Sequence, residues 1–188
     1  MYSTRGFTVW EIVIVITIVA ILARITIPGL AVLTQQKRSD VIATQLDDTV
    51  RFARAEALRL NKGIMVCPIS HWRGTYRCAA NNRDWSRGLM VFMDVNNDGL
   101  YNTDELLKIT RFESSSLATA VVSSNSMRYT INADSTLSPT NNGYVCFKLD
   151  QLINNHNYIS YAMFNSYGNM TYCRSPKDLQ SSECALCR

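Results

Sequence analysis

The sequence predicts an α+β fold in which one long N-terminal α-helix packs against an antiparallel, β-rich globular head. Three observations predict it: an apolar run near the N-terminus, an amphipathic stretch after it, and a series of short β-like segments. The chain has 188 residues, 47% hydrophobic and 18% charged, with a formal net charge of +4. This composition suits one globular domain, and it excludes both a disordered chain and a large multidomain enzyme.

The apolar run covers residues 7–27, where Glu11 and Arg24 are the only charged residues. As a helix with about 1.5 Å per residue it would span roughly 30 Å, the thickness of the hydrocarbon core of a bilayer. Arg5 precedes the run, and positive charge before a first span favours a cytoplasmic N-terminus. The rest of the chain is then expected on the far side of the membrane. A secretory signal peptide is the alternative, but no small-residue cleavage pattern follows the run.

Glu11 is the unusual residue of this run. A carboxylate within a membrane is costly unless a partner neutralises it or unless it lies at the depth of the headgroups. The residues alone leave both explanations open. Arg24 needs no functional explanation, because its long side chain can reach the interface.

The helix is predicted to continue beyond the apolar run with a different character. Pro28 and Gly29 predict a kink or a local loosening, because proline lacks a backbone donor. Residues 29–62 predict an amphipathic helix whose apolar stripe docks on the head. Gly63 suits the position that follows a helix end, so the helix is predicted to end there. The stripe consists of Leu46, Val50, Ala53, Ala57 and Leu60.

Residues 63–188 predict the head. Eight short β-like segments are separated by clusters of Asn, Asp, Ser and Gly, a pattern typical of a mainly antiparallel head with one or two sheets packed against the helix. The segments are residues 64–67, 88–93, 106–112, 118–122, 127–131, 144–149, 158–164 and 170–173.

All six cysteines follow the helix, on the side predicted to be outside the membrane. An even number of cysteines in an oxidising compartment predicts disulfides. Proximity favours a Cys67–Cys78 pair, and a Cys146–Cys173 pair across adjacent strands.

The remaining two cysteines, Cys184 and Cys187, have C-x-x-C spacing. This spacing occurs in redox motifs and in halves of zinc sites. Because the tail has no second C-x-x-C and no nearby histidine, a structural disulfide is favoured.

Residues 94–105 match the calcium-loop pattern D-x-[DN]-x-[DN]-G-x₅-E. The pattern predicts a structural Ca²⁺, whereas no other cofactor is expected. The flanking segments look like strands rather than helices, so an ordinary hairpin connection rich in Asp, Asn and Gly is the alternative. The predicted oxygen donors are Asp94, Asn96, Asp98, the carbonyl of Leu100, Asn102 and Glu105.

No catalytic motif surrounds His71 or His156, the two histidines of the chain, and no enzyme is predicted. A DNA contact is the weaker alternative, suggested by arginines interleaved with aromatic residues in residues 71–87. A net charge of +4 is modest, and loop arginines are commonly solvated or paired with carboxylates. The arginines are Arg73, Arg77, Arg83 and Arg87, and the aromatic residues interleaved with them are Trp72, Tyr76 and Trp85.

Residues 5–11 have the sequence Arg-Gly-Phe-Thr-Val-Trp-Glu, and an apolar stretch and Pro28 follow. This order resembles the prepilin leader of type IV pilins and type II secretion pseudopilins, although Trp10 departs from the usual aliphatic residue. The resemblance implies that a prepilin peptidase cleaves between Gly6 and Phe7 and that Phe7 is then methylated. It also implies that Glu11 attracts the free amine of a neighbouring subunit during assembly.

Residues 52–61 and 85–94 resemble the subgroup that contains the secretion pseudopilin H and the minor pilins FimU and FimT. The resemblance implies a pilin-like fold and a FimU-like minor pilin that primes or enters a type IV pilus near its tip. The alternatives are a type II secretion pseudopilin of the H class and a FimT-like minor pilin for DNA uptake. The Gly-Arg-x-Arg motif of FimT has its counterpart at residues 168–171, which contain no arginine.

The resemblance also implies a domain order, partners and a location. The expected order is a leader at 1–6, a transmembrane and filament-core helix at 7–28, an amphipathic helix at 29–62 and a head at 63–188. The implied partners are other minor pilins, the major pilin, the prepilin peptidase and the bacterial inner membrane. The head is expected in the periplasm and later in the assembled pilus.

Overall fold

The computed structural model describes residues 8–72, 75–79, 83–96, 98–112, 121–139, 143–153, 156–174 and 184–187, without the side chains of 25–36, 71–72, 152–153 and 156–157. The chain divides into two compact units, Met1–Lys37 and Arg38–Arg188. The first unit is helical where it is described, and the second contains the rest of the helix and all the strands.

Helix α1 spans Val9–Leu60, 52 residues in all. Its secondary structure continues through Pro28 and Gly29 without interruption, so the kink at these residues stays a prediction. In the part of the chain that the structure describes, no helix is both long enough and apolar enough to cross a membrane.

The helix ends at Leu60, whereas the sequence predicted an end at residue 62 with Gly63 in the position that follows the helix end. Asn61 takes the left-handed conformation with φ of 50°, and the N–H of Lys62 donates to the carbonyl of Ala57 at 3.2 Å. This is the bonding pattern of a Schellman motif, in which asparagine sometimes replaces the usual glycine. The prediction was wrong because asparagine also tolerates this conformation.

The described residues of the head form ten strands in two antiparallel sheets. One sheet has six strands in the order β4-β3-β1-β6-β7, with β2 paired to β1, and the other has the order β10-β9-β8-β5. The strands are β1 Ile64–Trp72, β2 Thr75–Cys78, β3 Gly88–Phe92, β4 Leu106–Arg111, β5 Val121–Ser124, β6 Tyr129–Ile131, β7 Leu137–Ser138, β8 Tyr144–Ile153, β9 His156–Asn165 and β10 Met170–Cys173.

Each of the eight predicted segments overlaps one of these strands, which confirms the β-rich head. Strands β2 and β7 were not predicted. Strand β7 has only two residues, and β2 forms by pairing with an extension of β1, in which Ser70 lies opposite Arg77. Such short segments are extended because a partner strand binds them, so their own residues carry little signal.

The apolar stripe of the helix docks on the head as predicted. Leu46, Ala53 and Ala57 have no exposed surface, and Val50 is 5% exposed. They belong to one core cluster with residues of both sheets, including Val66 of β1 and Phe164 of β9, while Leu60 packs against this cluster partly buried.

A smaller cluster lies apart from this main core. It consists of Met65, Cys67 and Ile69 of β1 with Met90 and Phe92 of β3. These residues alternate along their strands with residues of the main core, such as Val66 and Val91. Since successive side chains of a strand point to opposite faces, both faces of β1 and β3 are buried. Tyr76 and Tyr101 are partly buried against the smaller cluster.

Three disulfides pair all six cysteines. Cys67 joins Cys78, the pair that proximity favours. The expected pair of Cys146 with Cys173 is wrong, because β9 lies between β8 and β10 and separates the strands that carry them.

The C-terminal turn Cys184–Cys187 supplies the partners of these two cysteines. Cys146 joins Cys187, and Cys173 joins Cys184. The cysteines of the C-x-x-C segment are therefore in structural disulfides, but they are not joined to each other. Each of the two bonds attaches the turn to one of two strands that are separated by β9.

Candidate assembly site and head surface

The start of helix α1 is capped by Glu11, the residue that the assembly hypothesis singles out, together with Thr8. The backbone N–H and the hydroxyl of Thr8 donate to Oε2 of Glu11 at 2.8 and 3.0 Å, and the N–H of Glu11 approaches Oγ1 of Thr8 at 3.3 Å. This reciprocal arrangement is a capping box, which satisfies backbone donors at a helix start. The sequence analysis missed this role, although its signal, T-x-x-E before an apolar run, is present in residues 8–11.

Glu11 therefore has a structural partner within its own chain. Its role in attracting a neighbouring amine stays a prediction, as do cleavage after Gly6 and methylation of Phe7, which lie outside the described residues. Large apolar side chains at positions 9–22 are exposed by 42% to 80%. The chain thus offers an extended apolar surface next to its capped helix start.

The loop between β3 and β4 contains the predicted calcium ligands, and hydrogen bonds hold it. Asp94 accepts from the N–H groups of Asp98 and Gly99 at 3.1 and 2.7 Å. Gly99 has φ of 71°, so the turn itself favours glycine at this position of the motif. Leu100, whose side chain is 61% exposed, donates its N–H to Asp98 at 2.7 Å.

The carboxylates of this loop bind backbone and amide donors. Glu105 is buried, and its two oxygens accept from the N–H groups of Val95 and Asn102 at 2.8 and 2.9 Å. The bond from Val95 is the main cause that lowers the pKa of Glu105, although burial opposes it. Asp98 also accepts from Asn96 at 2.7 Å, and the bonds from Leu100 and Asn96 lower the pKa of Asp98.

These bonds bear on the calcium hypothesis. Each oxygen of Glu105 accepts one backbone N–H bond within the loop and has a second lone pair. Among the described residues, no three His, Cys, Asp or Glu side chains gather into a group that could hold a metal. The arrangement does not fit a preformed calcium site, and calcium binding stays a prediction from the sequence.

The arginines and aromatic residues that suggested DNA binding do not form one surface. Trp85 has no exposed area, stacks on Tyr129 at 5.3 Å and donates its Nε1–H to the carbonyl of Ser126 at 3.2 Å. Trp85 is therefore not available as a base-stacking platform, which weakens the DNA alternative. Arg73 and the side chain of Trp72 lie outside the described residues.

The three other arginines of this stretch are exposed on the head. Arg77 lies on β2, and Arg87 directly precedes β3. Arg83 borders a groove of about 750 Å³ together with Arg128, a residue that the sequence analysis did not single out. The two arginines are distant in the sequence, so no local motif could have shown that they share a groove.

Comparisons with known proteins agree with this architecture. The family model described as "Type II transport protein GspH" matches residues 43–179. The type IV wide pilus major component PilA4 of Thermus thermophilus is 26% identical over an alignment of 129 residues, and the match covers 61% of this chain and 98% of that protein. The crystal structure of the type IV minor pilin FimU of Pseudomonas aeruginosa shares the fold, with a TM-score of 0.54 and 16% identity over 81% of this chain and 98% of FimU.

The three comparisons point to one class of protein. The family match covers well over half of the chain, from the docked part of helix α1 to the residues beyond β10. Proteins of the pilin and pseudopilin families are structural subunits. This chain belongs to the GspH family, and its role is that of a type IV minor pilin or pseudopilin.

Proposed function

We propose that this chain is a minor pilin that primes or enters a type IV pilus near its tip, after cleavage between Gly6 and Phe7. The observation that carries the proposal is the exposed apolar surface of residues 9–22 in a helix whose other end is docked on the head. A helix that is apolar all round requires burial, and packing beside the helices of other pilins and the major pilin provides it. The similarity to a wide-pilus component supports a pilus as the assembly.

Before assembly, the same surface resides in the inner membrane, with the N-terminus in the cytoplasm and the head in the periplasm. The pairing of all six cysteines supports an exported head, because disulfides persist in oxidising compartments. Before assembly, the capping box binds the carboxylate of Glu11 within its own chain. During assembly its carboxylate attracts the free amine of a neighbouring Phe7.

The cleavage is tested by mass spectrometry of the chain isolated from the bacterium that produces it. The expected mature N-terminus is a methylated Phe7, and any other N-terminus contradicts the proposal. Deletion of the gene is expected to reduce the number of surface pili and restoration to recover it. An unchanged number of pili in the deletion strain contradicts a role in priming.

The role of Glu11 is tested by Glu11→Gln, which keeps the size of the side chain and removes its charge. We expect normal cleavage and reduced incorporation into pili, measured by quantifying the chain in sheared pili. Glu56→Gln is the matched control, since Glu56 lies on the same helix and pairs only with Arg59 at 2.6 Å among the ion pairs of the described residues. Equal incorporation of both variants contradicts the assembly role of Glu11.

A pseudopilin of a type II secretion system is the second candidate, and the description of the matching family favours it. The deletion strain separates the two candidates. Loss of secreted proteins from the culture medium with normal pili supports the secretion system, whereas loss of pili with normal secretion supports the minor pilin.

A further inference from the structure

We propose that one groove of the head docks an acidic, partly apolar surface on the head of a different pilin subunit. The inference rests on the proposed function and assigns a specific surface to it. We call this surface the arginine groove, and its defining residues are Met65, Arg83, Leu100, Met127, Arg128 and Pro139.

The charge of the arginine groove favours an anionic partner. Arg83 and Arg128 are both exposed, and no Asp or Glu is among the described residues that line the groove. Within the described part of the chain, no ion pair joins either arginine to a carboxylate. Two guanidinium groups match carboxylates well because each presents several donors in a planar fork.

The nearest acidic residues in the sequence already have donors of their own. Asp84 accepts from the N–H of Ser86 at 2.9 Å. Asp98 accepts from the N–H of Leu100 at 2.7 Å and from Asn96 at 2.7 Å. Among the ion pairs of the described residues, none joins Asp84 or Asp98 to Arg83 or Arg128.

Hydrogen bonds hold the walls of the groove in place. The carbonyl of Arg83 accepts from the N–H of Ser124 at 3.1 Å, and buried Trp85 donates to the carbonyl of Ser126 at 3.2 Å. Arg128 donates its Nη1–H to the carbonyl of Gly99 at 2.6 Å. A surface that is ordered before binding loses less conformational entropy when a partner docks.

The polar contacts below the turn at residues 124–128 strengthen this order. Ser124 donates its hydroxyl to the carbonyl of Cys146 at 2.8 Å and is also hydrogen-bonded to Tyr129. Tyr129 is buried, and burial raises the pKa of its hydroxyl, which therefore stays protonated at neutral pH. The turn that carries Met127 and Arg128 thus rests on a neutral, satisfied network.

The apolar residues of the groove favour a protein as the occupant. Leu100 and Met127, which line the groove together with the two arginines, are exposed by 61% and 41%. Methionine and arginine are enriched in protein interfaces. Binding of DNA depends instead on several cations along the backbone and, for single strands, on aromatic platforms. The groove offers two cations, and Trp85 is buried beneath the surface.

Charge also favours a different subunit over a second copy of this chain. The chain has a formal net charge of +4, so a second copy of it carries no excess of acidic groups to complement the groove. A subunit with an acidic head complements the groove. The carboxylates of that subunit pair with the guanidinium groups of Arg83 and Arg128.

The test uses the full chain in detergent. Each of the other pilin subunits of the same bacterium is purified separately and titrated against it by calorimetry at 50 and 300 mM NaCl. The Arg83→Glu/Arg128→Glu variant is expected to bind its partner subunit at least about tenfold more weakly than the wild-type chain does. Arg77→Glu/Arg87→Glu is the matched control, because it reverses two exposed arginines outside the groove, and its affinity is expected within about twofold of the wild type.

Salt and folding provide further readouts. The higher salt concentration is expected to weaken binding of the wild-type chain several-fold and to change binding of the groove variant little, because screening acts on charge pairs. Thermal unfolding shows whether the variants are folded. If the charge reversal unfolds the head, Arg83→Gln/Arg128→Gln replaces it, with the same expected direction.

The outcomes distinguish this inference from the proposed function. If a pilin subunit binds the wild type and the groove variant equally, the groove assignment is overturned and the proposed function stands. If no pilin subunit binds the wild type, both are overturned. Two further results also overturn the assignment. In the first, the chain binds a 20-base-pair DNA duplex, and the groove variant alone loses this binding while it still binds the pilin subunit. In the second, the chain self-associates in sedimentation, and the groove variant alone loses the self-association.

Discussion

Both halves of helix α1 are helical, but the first half exposes its apolar residues and the second half buries its apolar stripe against the head. Leu22 in the first half is 58% exposed, whereas Leu46 in the second half has no exposed area. The first half is apolar on all sides, and the second confines its apolar residues to a stripe that the head covers. The difference shows that helical periodicity determines where a helix docks within its own chain. A helix without a polar face has to find its burial elsewhere.

The largest expected effect is on the stability of the head, and it distinguishes a buried tryptophan, Trp85, from an exposed one, Trp10. Trp85→Ala removes a fully buried side chain that contacts Tyr129 and Phe147 in the core. We expect the free energy of unfolding of the head to fall by about 3–5 kcal/mol, because the lost contacts leave a cavity. Thermal unfolding of the full chain in detergent measures it as a Tm lowered by roughly 10 °C.

Trp10→Ala is the matched control from the first half, where Trp10 is 73% exposed. We expect it to change the stability of the head by less than about 0.5 kcal/mol. Equal losses from both variants would contradict the contrast between the two halves.

The disulfides sharpen the comparison, since all three lie in the head. Removing the bond between Cys146 and Cys187, with a separation of 41 residues, is expected to cost more than removing the bond between Cys67 and Cys78, with a separation of 11. In the loop-entropy model each loss costs about 2–4 kcal/mol, and the longer loop adds about 1 kcal/mol. Denaturant unfolding of the two double Cys→Ala variants measures the difference, and the reverse order would contradict the model.

Unfolding at low pH tests the role of Glu105 in the loop that connects β3 and β4. The bonds from Val95 and Asn102 hold the pKa of Glu105 below its ordinary value, so Glu105 stabilises the fold at a pH above roughly 4.3 and loses this contribution as the pH falls through its lowered pKa. We expect Glu105→Gln to lower the Tm by a few degrees at pH 7 and to flatten the loss of Tm between pH 5 and pH 2. The control Glu56→Gln removes an exposed ion pair and is expected to change the Tm less. A wild-type acid profile in Glu105→Gln would contradict this role.

The smallest expected effect is that of calcium. Because no three acidic side chains of the described residues gather into a group that could hold a metal, we expect 5 mM Ca²⁺ and a chelator to give the same Tm of the full chain. A calcium-dependent rise of the Tm that Glu105→Gln abolishes would show instead that the loop rearranges to bind the ion, as its sequence pattern predicts.

The sequence predicted the helix, its docking stripe and the positions of most strands, because these depend on periodicity that local residues carry. Leu46, Val50, Ala53 and Ala57 recur at helical spacing, and all of them are buried. The sequence did not show that Trp85 is buried, whereas the arginines near it, Arg83 and Arg87, are exposed. The spacing of residues along the chain does not show whether a side chain in an irregular segment, such as Trp85, points into the core.

By itself, the sequence determined the two-part character of this protein: a helix that begins apolar and becomes amphipathic, followed by a cysteine-bearing β-rich head. Only the tertiary structure decided which residues meet across the chain. The order β10-β9-β8 separates Cys146 from Cys173 and directs both to the C-terminal turn, and the sheet packing brings Arg83 to Arg128. Local patterns follow from the chemistry of neighbouring residues, whereas long-range contacts follow from strand order, which no short segment encodes.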